Sequence, residues 1–191
     1  KGAVGVDGKI AGWHDHFVGV SGARGGPGEF PGMTTQSSTV ESGVPTGSWR
    51  APGDNANYWA SQSFVDELAH AAKRDPLDLR MELLSIPGAQ YSYENDRMKG
   101  VLKLAADQAG WGKQLPRGQG MGIAFAHSHQ GYVAVVAQVT VSPSGDLKVN
   151  KLTAGVDVGP IVNLSGAESQ VAGAMLDGLG AAWFLKITID H

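Results

Sequence analysis

The sequence contains no cysteine, which excludes disulfide bridges, thiolate zinc sites, iron–sulfur ligation and a cysteine nucleophile within these 191 residues. Long apolar runs are also missing. The longest, such as Tyr132 to Val139, fall far short of the ~20 residues that cross a bilayer, so no transmembrane segment is expected. There is no basic block, and the formal net charge is −3. Binding to nucleic acid through a phosphate-neutralising patch is therefore not expected. Lys1 opens a Gly/Val stretch with no apolar signal-peptide core. The composition suits cytoplasm and periplasm alike. No Gly-x-Ser-x-Gly nucleophile elbow is present, so hydrolase chemistry has little support.

What is present is a globular composition, 42% hydrophobic, in a length sufficient for one domain or two small ones. Glycine is abundant: 28 residues, about twice the usual ~7% frequency. Lys9 to Val20 alternates apolar and polar residues as a half-buried strand does, behind a hairpin signal at Val6-Asp7-Gly8-Lys9. Residues 21–48, rich in Gly, Pro, Ser and Thr, read as a long loop with short extended segments.

From Asn57 the period becomes helical, with Phe64, Val65, Leu68, Ala69 and Ala72 on one stripe. Asp75-Pro76 restarts the chain as a cap and first helical residue; Leu77, Met81 and Leu84 follow, and Pro87 ends the helix. A third helix spans Asn95 to Ala109, with Met98, Val101, Leu102, Ala105 and Ala109 inward and Gly110 as its C-terminal turn. Three strands follow: Met121 to His127, Tyr132 to Val141 and Leu147 to Val156, the last two joined through Pro143-Ser144-Gly145-Asp146. Ser165 and Glu168 have capping-box spacing and open a glycine-dotted helix with Val171, Met175, Leu176, Leu179 and Ala182 inward. Leu185 to Ile189 reads as a further strand, cut at His191. The class expected is α+β: a mixed or mainly antiparallel sheet with helices packed on one face.

Two blocks carry a resemblance. Gly47 to Leu84 holds an Arg-x-x-Gly loop (Arg50 to Gly53), the helix segment Ser63 to Ala69 and the DP-L-x-x-R run Asp75 to Arg80. Gln119 to Ala182 holds the segment Val156 to Asn163, then Gln170 and a glycine-dotted helix to Gly180. Together, in this order, they resemble the molybdopterin-binding large subunit of the xanthine dehydrogenase/aldehyde oxidase family, in its isoquinoline oxidoreductase β-subunit-like branch. Leu164 departs from the proline usual in that family after Val162-Asn163.

The resemblance implies that residues 1–191 are part of a molybdenum-cofactor-binding domain, an internal fragment with flanking segments beyond both ends. The complete enzyme would hydroxylate aldehydes or N-heterocycles with water as oxygen source. It would hold a molybdopterin-type molybdenum cofactor and pass electrons to an iron–sulfur small subunit, making a heteromer. The family's glycine-rich Met-Gly-Gln-Gly segment and its Gly-x-Gly-Glu catalytic base are both absent here, so no catalytic residue is assigned. The chain alone is expected to hold no cofactor tightly, to be inactive, and to self-associate through exposed apolar surface. The alternative is a non-catalytic scaffold or interaction domain of the same fold that has lost the cofactor.

The resemblance assigns cofactor contact to Arg50, Ala51 and Gly53, with Pro52 in the same loop, and to Gln170. An arginine fork suits a pyrophosphate, carboxylate or oxyanion; equally, Arg50 could pair with Asp54 or Glu67. The Gln170 amide could bond cofactor polar groups or tie its helix to a neighbour. Asp157 and Asn163 are expected to build the turn into the last helix. Glu29, in Gly25-Gly26-Pro27-Gly28-Glu29, resembles the catalytic Gly-x-Gly-Glu, but it precedes the Arg50 block where the family's base follows the Gln170 helix, and is read as a loop carboxylate. His14/His16 and His127/His129 are His-x-His pairs whose imidazoles would share a strand face; no native metal site is assigned to them.

Overall fold

The computed structural model describes residues 1–19, 31–41, 43, 45, 47, 50–89, 91–186 and 188. It divides into two compact units, Lys1–Asp157 and Val158–His191.

The first unit begins with β1 (Gly2–Val4) and β2 (Ile10–Val18), paired antiparallel through the expected turn at Gly8. β3 (Met33–Ser38) then pairs parallel to β2, giving a mixed three-stranded sheet. The helices α1 (Asp54–Ala72), α2 (Pro76–Leu83) and α3 (Asn95–Ala109) follow. The unit closes with an antiparallel meander of β4 (Gln119–Ser128), β5 (Gly131–Val141) and β6 (Leu147–Asp157). The class is α+β, as expected, with two small sheets in place of one.

Local chemistry accounts for the helix ends. Asp75 accepts hydrogen bonds from the amides of Leu77 (2.7 Å) and Asp78 (3.2 Å), and Pro76 occupies the first helical position. At its other end α3 stops at Gly110, whose φ of 68° closes the last turn in a left-handed conformation that glycine adopts without steric cost.

The core has two parts. In one, the buried face of α3 (Met98, Val101, Leu102, Ala105, Ala106, Ala109) packs on Ile123, Phe125, Tyr132, Ala134 and Val136 of β4 and β5. The other surrounds Trp13 of β2 with Val65, Leu68 and Ala69 of α1 and Leu79 and Leu83 of α2. Helix α2 serves both. Leu77, Met81 and Leu84 face the α3 side, while Leu79 and Leu83 face Trp13. The expected stripe is thus half of its apolar surface, because the helix is apolar on two sides.

The DP-L-x-x-R arginine is structural. Arg80 is fully buried and bonds Gln62 Oε1 (2.9 Å), the Gln62 carbonyl (3.0 Å) and Asp66 (2.7 Å). Gln62 Oε1 also accepts the Phe125 amide at 3.2 Å. One polar knot, buried at Arg80 and Gln62, therefore joins α1, α2 and β4.

In the second unit, α4 (Leu164–Phe184) is the helix expected there, but it buries no residue. Val171, Met175 and Leu179 are half-buried, whereas Leu176 and Ala182 are exposed. Among the described residues the unit offers no second element for an inward face to pack on. The cap also differs from the expected Ser165–Glu168 box. Asn163 is the N-cap, accepting the Gly166 amide at 3.0 Å, and Ser165 donates its hydroxyl to Asn163 Oδ1 at 3.1 Å. No strand forms at Leu185 or Lys186; Ile187 and Ile189 lie outside the described residues.

Candidate functional site

The expected cofactor loop is a tight turn feeding α1. Ala51 has φ 54° and Gly53, the N-cap, φ 79°. Ala51 is not glycine, so a left-handed backbone here is strained by roughly 1–2 kcal/mol. The Ala51 carbonyl accepts the amides of Asp54 (3.1 Å) and Asn55 (3.4 Å), and the Asn55 side chain donates to the Arg50 carbonyl at 2.7 Å. No side chain caps α1. The Arg50 side chain is exposed and pairs with no described residue, neither Asp54 nor Glu67.

Asp54 is occupied elsewhere. Its Oδ2 accepts the Ser128 hydroxyl at 2.6 Å, and Ser128 Oγ also contacts His129 Nδ1 at 2.8 Å. This joins the start of α1 to the tip of the β4–β5 hairpin. His129 and Gln130 form that tip and both have positive φ, 49° and 65°. The strand partners Ser128 and Gly131 flank them, so the loop has two residues and the mirror-turn geometry usually given to Asn-Gly.

Beside the tip lies an aromatic cluster. The His127 ring sits 5.2 Å from Tyr93 and 4.9 Å from Tyr132, and Tyr91 is 5.8 Å from Tyr93. The Arg97 guanidinium stands 4.2 Å over the Tyr132 ring. From there it forks onto Asp157 with two bonds of 2.7 Å, and the Tyr132 hydroxyl accepts the Glu94 amide at 3.0 Å. Asp157 therefore ends β6 against α3, with its carboxylate gripped by an arginine.

These environments shift protonation. Burial holds the Tyr93 hydroxyl well above its ordinary range, reinforced by Tyr58, Tyr91 and Tyr132, so it stays protonated. Burial lowers the His127 pKa, Asp54 opposes this, and Arg97 adds to it. The Asp157 fork holds the Arg97 pKa above its ordinary value.

Arg50, Ala51 and Gly53 thus come together in one turn, while Gln170 is an exposed residue of α4 in the second unit. The histidine pairs do not converge. His14 Nε2 bonds Gln36 (3.1 Å) and His16 Nε2 bonds Ser38 (2.9 Å), side by side across β2 and β3. His127 is stacked in the cluster while His129 has left the strand for the turn, so that pair does not share a face. Among the described residues no three His, Asp or Glu side chains are placed to hold a metal. Glu29 lies outside the described residues. The Arg97–Asp157 fork and the Ser128 link to Asp54 were not foreseen: the partners lie 60 and 74 residues apart and have no local pattern.

Residues 34–191 match the family described as molybdopterin cofactor-binding domain, and the chain belongs to that family. This agrees with the resemblance carried by the Arg50 and Val156 blocks. Among curated proteins, the membrane-bound aldehyde dehydrogenase [pyrroloquinoline-quinone] of Gluconacetobacter polyoxogenes is 33% identical, over 94% of this chain and 25% of its own length. The beta subunit of isoquinoline 1-oxidoreductase from Brevundimonas diminuta is 24% identical over 69% of this chain and 16% of its own length. A nicotinate dehydrogenase subunit from Pseudomonas putida is 30% identical over 63% and 11%. The chain therefore spans a quarter or less of these relatives, all named as oxidoreductases. Aldehyde oxidoreductase from Desulfovibrio gigas covers 78% of this chain with 20% of its own, at 17% identity and a TM-score of 0.38. Among the described residues, no helix is long and apolar enough to cross a membrane.

Proposed function

We propose that this chain is part of the cofactor-binding subunit of a molybdenum hydroxylase that oxidises aldehydes or N-heterocycles with water as oxygen source. The observation that carries the reading is the Arg50 turn. A guanidinium with no partner among the described residues stands beside a helix start with no side-chain cap, inside the stretch that matches the family. Such a turn suits an anionic group, because the guanidinium can fork onto paired oxygens. Arg50 would grip the cofactor's anionic part and the Ala51 and Gly53 backbone would approach it closely; for Gln170, in the second unit, cofactor contact is proposed on the resemblance alone. When bound, the molybdenum cofactor supplies the oxygen transfer and accepts two electrons. An iron–sulfur partner subunit would receive those electrons.

Elemental analysis and turnover of the complete subunit carrying Arg50→Ala test this. Lower molybdenum content, or lower activity with the fold intact, is expected. Full occupancy with normal turnover defeats the Arg50 assignment. One relative's name specifies pyrroloquinoline quinone; a wild-type subunit with bound quinone and no molybdenum would overturn the cofactor itself.

A further inference from the structure

We infer that Asp54 and Ser128 lock His129 in its Nδ1–H tautomer, making Nε2 a fixed hydrogen-bond acceptor for the ring N–H of an N-heterocyclic ligand. The inference rests on the reading above for the ligand class, but its chemistry comes from the hairpin tip alone. A serine hydroxyl has one proton. Ser128 gives it to the Asp54 carboxylate at 2.6 Å. The remaining 2.8 Å contact, Ser128 Oγ to His129 Nδ1, then needs a proton from the imidazole. With Nδ1 protonated and the ring neutral, the lone pair lies on Nε2, because the bond made by one ring nitrogen sets the state of the other.

The backbone points the same way. A two-residue connector could be Asn-Gly without strain, yet His129 and Gln130 both take positive φ and the glycine comes one place later, at Gly131. Strain kept at an exposed tip is a mark of side chains that have a task there. His129 is exposed, so Nε2 can meet a ligand. The tip is bonded to Asp54, three residues beyond Ala51, and so stands beside the start of α1. A neutral imidazole acceptor favours a ring N–H donor, such as a cyclic amide, over the same ring with that nitrogen methylated.

Nitrogen-resolved NMR of the imidazoles in the full chain, at mildly alkaline pH, is the first test. His129 should read as Nδ1–H in the wild type and lose that state in Ser128→Ala. An Nε2–H signal in the wild type overturns the inference, whatever the cofactor is. The second test titrates the complete subunit with isoquinolin-1(2H)-one and its N-methyl derivative. The wild type should prefer the N–H compound about two- to tenfold, the worth of one hydrogen bond. His129→Phe should abolish the preference, and His129→Asn, which tolerates the turn and keeps an acceptor, should restore part of it. Equal binding of both compounds by the wild type, or binding of neither, overturns the ligand assignment. Full molybdenum content in Arg50→Ala would defeat the cofactor reading while leaving the tautomer result standing.

Discussion

Gly155→Ala should be among the most damaging single-methyl changes in this chain. Gly155 lies in β6 with its backbone against α3. A Cβ there would stand 2.4 Å from the Val101 carbonyl oxygen and 3.1 Å from the Ala105 amide nitrogen. Both are helix backbone, so no rotamer change relieves the clash. Carbon–oxygen contact becomes comfortable at about 3.3 Å, so α3 would have to retreat by roughly 1 Å. That helix buries six residues against β4 and β5, and a gap of this size forfeits a quarter to a half of each affected contact. Overpacking ordinarily costs about 1–3 kcal/mol, and the immobile neighbour places this case at the upper end. At ~2–4 °C per kcal/mol for a chain of this size, the melting temperature should fall by about 6–12 °C. Thermal denaturation followed by circular dichroism measures it. Gly122→Ala in β4, where an added Cβ meets nothing within 4 Å, is the matched control and should change little. If Gly155→Ala melts with the wild type, α3 does not sit on β6 as described.

Two further outcomes follow from the structure. Asn163→Ala should destabilise α4 by about 1 kcal/mol through loss of its cap, whereas Ser165→Ala should be nearly silent; circular dichroism of both variants ranks them, and the reverse order would restore Ser165 as the cap. For His127, the folded pKa is depressed below its ordinary 6.5, so the unfolded chain takes up the proton first and stability is lost as pH falls from about 6.5 through the lower folded value. His127→Phe keeps the ring and removes the proton, so its melting temperature relative to wild type should rise on acidification; a difference independent of pH would show that His127 is not the group concerned.

How far the sequence carried the fold depended on how local each determinant is. The ends of α3 were legible because Met98, Val101, Leu102, Ala105 and Ala109 keep one period and Gly110 stops it. Helix α1 starts three residues before the expected Asn57, because the Ala51–Gly53 turn launches it and Asp54 opens no apolar stripe. Asn163 displaced Ser165 as cap because two capping side chains stand two residues apart and only the geometry of Gly166 chooses between them. The parallel pairing of β3 with β2 is non-local, and no alternation within Met33 to Ser38 signals it. In the candidate site, the Arg50 turn was legible through family resemblance. The cluster of Tyr93, His127, Tyr132 and Arg97 was not, since its members come from α3, two strands and the segment before α3.

The grip of Arg97 on Asp157 has a mechanical side. Asp157 is the last residue of the first unit, and Val158 begins the second. A chain leaving a compact body ordinarily swivels about its final anchored residue. This one is clamped through its carboxylate by a planar fork, whose two parallel bonds resist twisting as well as displacement. Helix α3 thereby holds the end of β6 against rotation.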